Sequence, residues 1–365
     1  ESRSDLLTYI KHTRPDPQLP QDPYATIYQT TRLSRVLCDA LQKVTEGEVL
    51  YLLVSAPPQH GKTEILTRRF LPWYAGRFPF RHIMFGTYSQ DLANVVGDEV
   101  RTIIKSPEHA QVFPGFQLRP GSKSKEYMVT EQGGKLSFLG RGGAGTGKPA
   151  DLFVIDDPIK DSIEAESSTI REQVWQWFTK VVFTRCHAAS AIVVVQTRWH
   201  EDDLIGRLTD KTNPNYNEEI AKKFVYVNIP AMIDTEPMAK ALKCKVGDSL
   251  WPERFPPKHL ETARMLNPLG FNALYMGRPT PPEGAFFKRD HFIGYKRSEL
   301  PKNLRYYLSG DLALSPERDR DKSCVGLWGL DEHDDLWLLP NLLWDHKAAD
   351  DVVEDLIQYG KDYPI

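Results

Sequence analysis

The sequence predicts an α/β protein built on a parallel sheet, and three apolar runs carry that prediction. Leu50-Tyr51-Leu52-Leu53-Val54, Leu152-Phe153-Val154-Ile155 and Ile192-Val193-Val194-Val195 are short and apolar throughout, as strands buried on both faces are. A fourth run, His82-Ile83-Met84-Phe85-Gly86-Thr87, is followed by the helical pattern of Asp91 to Val100. Strands alternating with helices build a parallel sheet covered on both sides.

The first run leads through two prolines into Gly61-Lys62-Thr63, and Thr63 to Leu71 then reads as a helix. A phosphate loop (Walker A) needs a sharp turn after a buried strand, converging backbone N–H groups, a Lys for the outer phosphate oxygens and a hydroxyl for Mg²⁺. Gly61, Lys62 and Thr63 supply the last three. The glycine expected five positions before Gly61 is replaced by Ala56. Phosphates would rest on the helix N-terminus, which makes Gln59, His60, Gly61, Lys62, Thr63 and Glu64 the candidate ATP contacts. A chance Gly-Lys-Thr in a surface turn is the competing reading, and the strand and helix on either side argue against it.

The second run ends in Asp156-Asp157. Ligands of open α/β sheets bind at the carboxyl ends of strands, so Asp156 is placed to orient Mg²⁺ beside Thr63. Asp157 stands where many such ATPases carry a Glu that activates water. Alone, Asp-Asp-Pro is an ordinary turn; paired with Lys62 it signals a nucleotide triphosphatase. The third run ends in Gln196 and Thr197, candidate sensors of the γ-phosphate. An extra strand is expected between the phosphate strand and the acid strand, as in motor-type ATPases and helicases, so the predicted core is a P-loop domain of the RecA/ASCE-like class.

Composition sets limits. At 365 residues and 41% hydrophobic content the chain can fill two cores. Cys38, Cys186, Cys244 and Cys324 are scattered without paired spacing, which argues against a zinc cluster or disulfide framework and for a reducing, cytoplasmic setting. No apolar run approaches the ~18 residues of a membrane span. A net charge of −3 gives no global nucleic-acid signature, so DNA contacts would use local basic surfaces.

Pro and Gly in "NPLGFNALYMGRPTPPEGAFFK", Asn267 to Lys288, read as a linker with aromatic anchors. The expected organisation is an N-terminal segment forming an adenine-side lid over 1–45, an ATPase domain over 46–266, a linker over 267–300 and a second domain from 301. Gly140 to Gly147 reads either as a flexible loop or as a mobile segment bringing Arg141 and Lys148 to the nucleotide or DNA. Beyond the linker, three strands are expected at 305–311, 323–330 and 335–343, then a helix over 347–361. Three antiparallel strands and a helix, with Asp311 ending the first strand, is how an RNase H-like nuclease domain begins. Asp311 would be the first ligand of a two-metal site, and Asp321 reads better as a turn residue.

Together, "APPQHGKTE", "GTGKPADLFVIDDPIKD", "VVVQTRWHEDDLIGRL", "LWPERFP", "FNALYMGRPTPPEGAFFK" and "YYLSGDLA", in that order, resemble the large terminase subunit of tailed bacteriophages. The resemblance spans nearly the whole chain. It implies an ATP-driven packaging motor with a nuclease that uses Mg²⁺ or Mn²⁺ and acts on viral double-stranded DNA. It also implies a portal protein and a small terminase subunit as partners, a ring of five copies docked on the procapsid, and residence in the host cytoplasm.

By the same resemblance Lys62 and Thr63 are phosphate contacts, Asp156 the magnesium ligand, Asp157 the catalytic carboxylate with Glu164 as fallback, and Gln196 and Thr197 the coupling motif. Relatives carry an arginine inside the phosphate loop where this chain has Pro57, Pro58 and Gln59. The charge-stabilising arginine must then come from elsewhere, with Arg68, Arg69, Arg101, Arg141 and Arg198 as candidates, in cis or from a neighbouring subunit. Tyr28 and Gln29 are candidate adenine contacts. The chain starts at Glu1 and stops where a fourth nuclease strand would begin, so an incomplete nuclease site, and ATP hydrolysis without DNA cleavage, are expected. A helicase-like remodelling ATPase and a docking protein with a relic nucleotide pocket are the competing functions.

Overall fold

The computed structural model describes all residues except 23, 121–123, 144–148, 281–292, 313–321, 341 and 365. The chain divides into two compact units, Glu1–Phe286 and Phe287–Ile365.

The first unit is organised by a seven-stranded sheet. Its strands are β1 (Tyr51–Ser55), β2 (His82–Thr87), β3 (Tyr127–Val129), β4 (Lys135–Gly140), β5 (Ala150–Asp156), β6 (Cys186–Gln196) and β7 (Phe224–Asn228), in the order β3-β4-β2-β5-β6-β1-β7. All pairings are parallel except β3 on β4. The three apolar runs lie side by side at its centre: Leu52 is level with Val193, and Val193 with Val154. β6 is the strand inserted between the phosphate strand and the acid strand.

Successive side chains of a strand point to opposite faces, and each face buries its own core. On one face Leu52, Val54, Phe85, Val154 and Val193 pack with residues of α1 (Leu6–His12), α2 (Arg32–Glu46), α3 (Leu71–Arg77) and α4 (Gln90–Ile104). On the other, Leu53, Phe153, Ile155, Ile192 and Val194 meet Val174, Trp177, Phe178 and Leu204. Gly86 of β2 makes room for this second layer, because a Cβ there would lie 2.6 Å from the Trp177 ring. Each fully buried aliphatic or aromatic side chain stabilises the unit by roughly 1.5–3 kcal/mol.

Three expectations need adjustment. Residues 1–45, expected as a lid, also contribute to the main core, where Leu6, Tyr9, Ile10, Leu33, Leu37 and Leu41 are all fully buried. The helix after the phosphate loop begins as a π-helix, Glu64–Phe70, and continues as α3 to Arg77, past the expected end at Leu71. Most of the expected linker's first part is also folded: Pro268–Gly270 and Phe271–Tyr275 are helical, and Phe271 and Met276 bury against Ala231, Phe255 and Leu260. The aromatic anchors outweigh the local Pro and Gly there; residues 281–292 of that linker, like Lys148 and Asp321, lie outside the described residues.

The second unit holds β8 (Arg305–Asp311), β9 (Ser323–Leu330), β10 (Leu336–Leu338) and β11 (Leu343–Asp345), followed by the helix Ala349–Asp362. β9 pairs antiparallel with all three others. The single third strand expected over 335–343 is two short strands, with Pro340, which has no N–H to donate, lying between them. Among the described residues no helix is long and apolar enough to cross a membrane, and the four cysteines are free.

Candidate active site

The site forms where β1, β5 and β6 end together. The Ala56 N–H, just past β1, donates to the Gln196 carbonyl at 3.2 Å, so the phosphate loop starts tied to β6. Gly61 takes φ +93°, a left-handed conformation that glycine adopts without a Cβ penalty. His60 lies flat on Phe255, ring centres 4.1 Å apart and planes 13° off parallel. Burial depresses the His60 pKa to about 4, helped by the nearby Arg254 and Lys62 cations.

Asp156 closes β5, and Asp157 turns away from it at φ +43°, its N–H still donating to the Val195 carbonyl at 3.0 Å. This turn brings residues distant in sequence together. The Lys62 amine lies 2.6 Å from Asp157 Oδ2 and also donates to the Thr197 hydroxyl. The Thr197 N–H donates to Asp157 Oδ1 at 2.8 Å, closing a three-residue ring of bonds. Beside it the Thr63 hydroxyl donates to Asp156 Oδ2 at 3.2 Å.

Asp156 is buried, and its Oδ1 has no hydrogen-bond partner. Burial, then the adjacent Asp157 carboxylate, raises its pKa above the ordinary carboxylate range, against the opposing pull of Lys62 and the Thr63 hydroxyl. A buried carboxylate oxygen without a donor beside a threonine hydroxyl suits a hard divalent cation that takes oxygen ligands. Thr63 and Asp156 therefore fit Mg²⁺.

A cavity of about 680 Å³ opens over this cluster. It is lined by Gln59, His60, Gly61, Lys62, Thr63, Glu64, Asp157 and Thr197, and at its N-terminal side by Tyr28 and Gln29. Gln196 and Asp156 are buried and do not line the cavity themselves, though Asp156 is bonded to Thr63, which does.

The expected arginines are distributed differently. Arg68 lines the cavity but is held bidentately by Glu99 at 2.8 Å and by Glu64 at 3.3 Å. Arg69 is buried against Glu64 and the Thr13 carbonyl. Arg101 binds the Ser124 carbonyl. Arg141 grips both oxygens of Glu164 at 3.0 and 3.2 Å, which also commits Glu164. Arg198 is buried in a 2.5 Å pair with Asp203, the residue that caps helix Leu204–Thr209. None of Arg69, Arg101, Arg141 and Arg198 lines the cavity.

Several lining residues were not singled out from the sequence: Arg14, Tyr88, Trp199, Trp251 and Arg254. Trp251 and Arg254 belong to "LWPERFP", where an aromatic and a cation three positions apart were the available signal. In the second unit, Asp311 ends β8 and is exposed. Among the described residues no group of three or more His, Cys, Asp or Glu is arranged to hold a metal.

The family described as "Terminase large subunit, T4likevirus-type, N-terminal" matches residues 53–292. No curated protein matches the chain. Among solved structures, the large terminase of bacteriophage HK97 is similar at TM-score 0.49 and 14% identity, over 93% of this chain and 67% of that one. A large terminase from a thermophilic bacteriophage, in complex with ADP, gives 0.37 and 12%, over 88% and 74%. The large terminase ATPase domain of Thermus phage P74-26 gives 0.44 and 13%, over 73% and 99%.

Proposed function

Because this chain belongs to the large terminase subunit family, we propose that it is an ATP-hydrolysing motor that moves viral double-stranded DNA into a procapsid. The observation that carries this reading is the meeting of Lys62 and Thr63 with Asp157 and Asp156 under one cavity at the ends of three adjacent strands. In the proposed roles, Lys62 holds the outer phosphates. Its amine now pairs with Asp157, so an arriving triphosphate competes for it and frees that carboxylate.

Asp157 then orients a water on the γ-phosphorus and takes its proton as the phosphorus bond to the bridging oxygen breaks, giving ADP and phosphate. Thr63 and Asp156 would hold Mg²⁺, which supplies positive charge to the phosphate oxygens when bound. Thr197 shares hydrogen bonds with both Lys62 and Asp157, so its hydroxyl must change partner when Lys62 moves. That exchange supports a coupling role at the end of β6. Tyr28 and Gln29 line the adenine side.

The finer assignments complete the proposal: a portal protein, a small terminase subunit, a five-membered ring, and Asp311 as first ligand of a Mg²⁺- or Mn²⁺-dependent nuclease. The direct test is steady-state ATP turnover. The protein should hydrolyse ATP with Mg²⁺, and Lys62→Ala should reduce turnover to background. Unwinding of a duplex by the protein, instead of translocation along it, would favour a helicase-like enzyme.

A further inference from the structure

The cations around the cavity differ in one respect. Arg14 pairs with Glu64 at 3.7 Å, Arg68 with Glu99 and Glu64, Lys62 with Asp157 and Lys160 with Asp161 at 3.8 Å. Arg254 lines the same cavity, and among the described residues no carboxylate lies within ion-pair distance of it. Its guanidinium carbon sits instead 5.3 Å from the centre of the Trp251 ring and 5.7 Å from that of Phe255. Stacking on rings leaves the in-plane N–H donors of a guanidinium available to an anion.

Its support is connected to the phosphate loop. Phe255 stacks on His60, the residue before Gly61, and meets Trp251 edge-on at 6.4 Å. The Phe255 N–H donates to the Trp251 carbonyl at 2.8 Å, closing the turn that presents Arg254. Upstream, Arg32 of α2 binds the Ser249 carbonyl and lies 3.7 Å from Asp248. This wall is anchored at both ends, to α2 and to the phosphate loop.

We propose that Arg254 is the second cation of the nucleotide site: a binding residue that donates to the polyphosphate from the Trp251–Phe255 turn lining the same cavity as Lys62. The proposal rests on the ATPase reading and supplies the arginine that the phosphate loop lacks, from the chain's own Trp251–Phe255 turn. A charge-assisted hydrogen bond of this kind corresponds to about tenfold or more in affinity.

The test titrates the whole protein with MgATP and with AMP, as wild type, Arg254→Ala and Arg254→Lys. Arg254→Ala should weaken MgATP about tenfold or more, leave AMP competition unchanged and keep the unfolding temperature; Arg254→Lys should recover part of the loss. Equal losses for AMP and MgATP would mean that Arg254 merely braces the wall, and that overturns the proposal. MgATP binding equal to wild type in Arg254→Ala also overturns it, with the ATPase reading intact. No MgATP binding by the wild type would overturn both.

Discussion

Replacing Lys62 by Met takes the paired amine away from two adjacent carboxylates, and the cost follows from the geometry. At 2.6 Å and an effective dielectric constant of about 20, the attraction between Lys62 and Asp157 is about 6 kcal/mol before desolvation. The Lys62 side chain is 7% exposed and that of Asp157 30%, so burying the amine offsets much of it while water screens the carboxylate. The coupling left over should be about 2 kcal/mol.

Lys62→Met alone should therefore destabilise the first unit by about 3 kcal/mol, since it leaves Asp157 facing Asp156 without compensation. Asp157→Asn in the same chain should return about 2 kcal/mol of that, while ATP turnover stays absent. Urea unfolding of wild type, both single variants and the double variant, followed by tryptophan fluorescence, measures the cycle. A coupling below about 0.5 kcal/mol would refute the argument, because Lys62 and Asp157 would then not share a pair in solution.

Other outcomes follow from the same contacts. Asp157→Asn keeps a residue that tolerates φ +43°, so the fold should survive while kcat falls about 10²–10⁴-fold with little change in KM; an unchanged kcat would place the base elsewhere. Thr63→Ala should remove most of the gain in ATP affinity that Mg²⁺ confers, read by titration with and without EDTA. Arg198→Ala breaks a buried pair with Asp203 and should cost about 3 kcal/mol of stability, visible as a lowered thermal midpoint, while kcat measured well below that midpoint is retained. His109 is fully buried, with its Nδ1 bonded to the Tyr9 hydroxyl at 2.8 Å and its pKa depressed by burial to about 4 from 6.5. As pH falls the unfolded chain takes up that proton first, so the contribution is complete above about pH 6.5 and is lost toward pH 4, about 3 kcal/mol in all. His109→Gln, which keeps an acceptor for Tyr9, should flatten this dependence in urea unfolding compared between neutral and mildly acidic buffer.

Much of the site was legible because its chemistry sits at strand ends. A buried strand announces itself by continuous apolar residues, and the first polar residues after it mark the sheet edge; Asp156, Asp157 and Thr197 were read this way, and Lys62 from the Gly-Lys-Thr pattern. Convergence itself depended on strand order, and β6 between β1 and β5 agrees with the expected insertion. The far wall was not legible. Arg14, Tyr88, Trp199, Trp251 and Arg254 are scattered along the chain, and nothing local to any of them specifies a shared cavity. The arginine candidates illustrate the same limit: a sequence shows that Arg141 is cationic, but not that Glu164 already holds it. Where Pro and Gly density suggested a linker, burial of Phe271 and Met276 decided the structure of its first part, since tertiary contacts outweigh local propensity.

β6 is held unevenly along its length. Spanning Cys186–Gln196, it is roughly 36 Å long, with its forward tip against the phosphate loop. Over Ile192 to Val195 both of its edges are bonded, to β1 and β5, so that stretch cannot shift without breaking ladder hydrogen bonds on both sides. Behind it the register with β5 slips between Ala150 and Leu152, and His187 to Ala189 lie in the open. A change of position at Thr197 would therefore bear first on the doubly bonded half of the strand, and on the exposed His187–Ala189 segment only beyond the register slip.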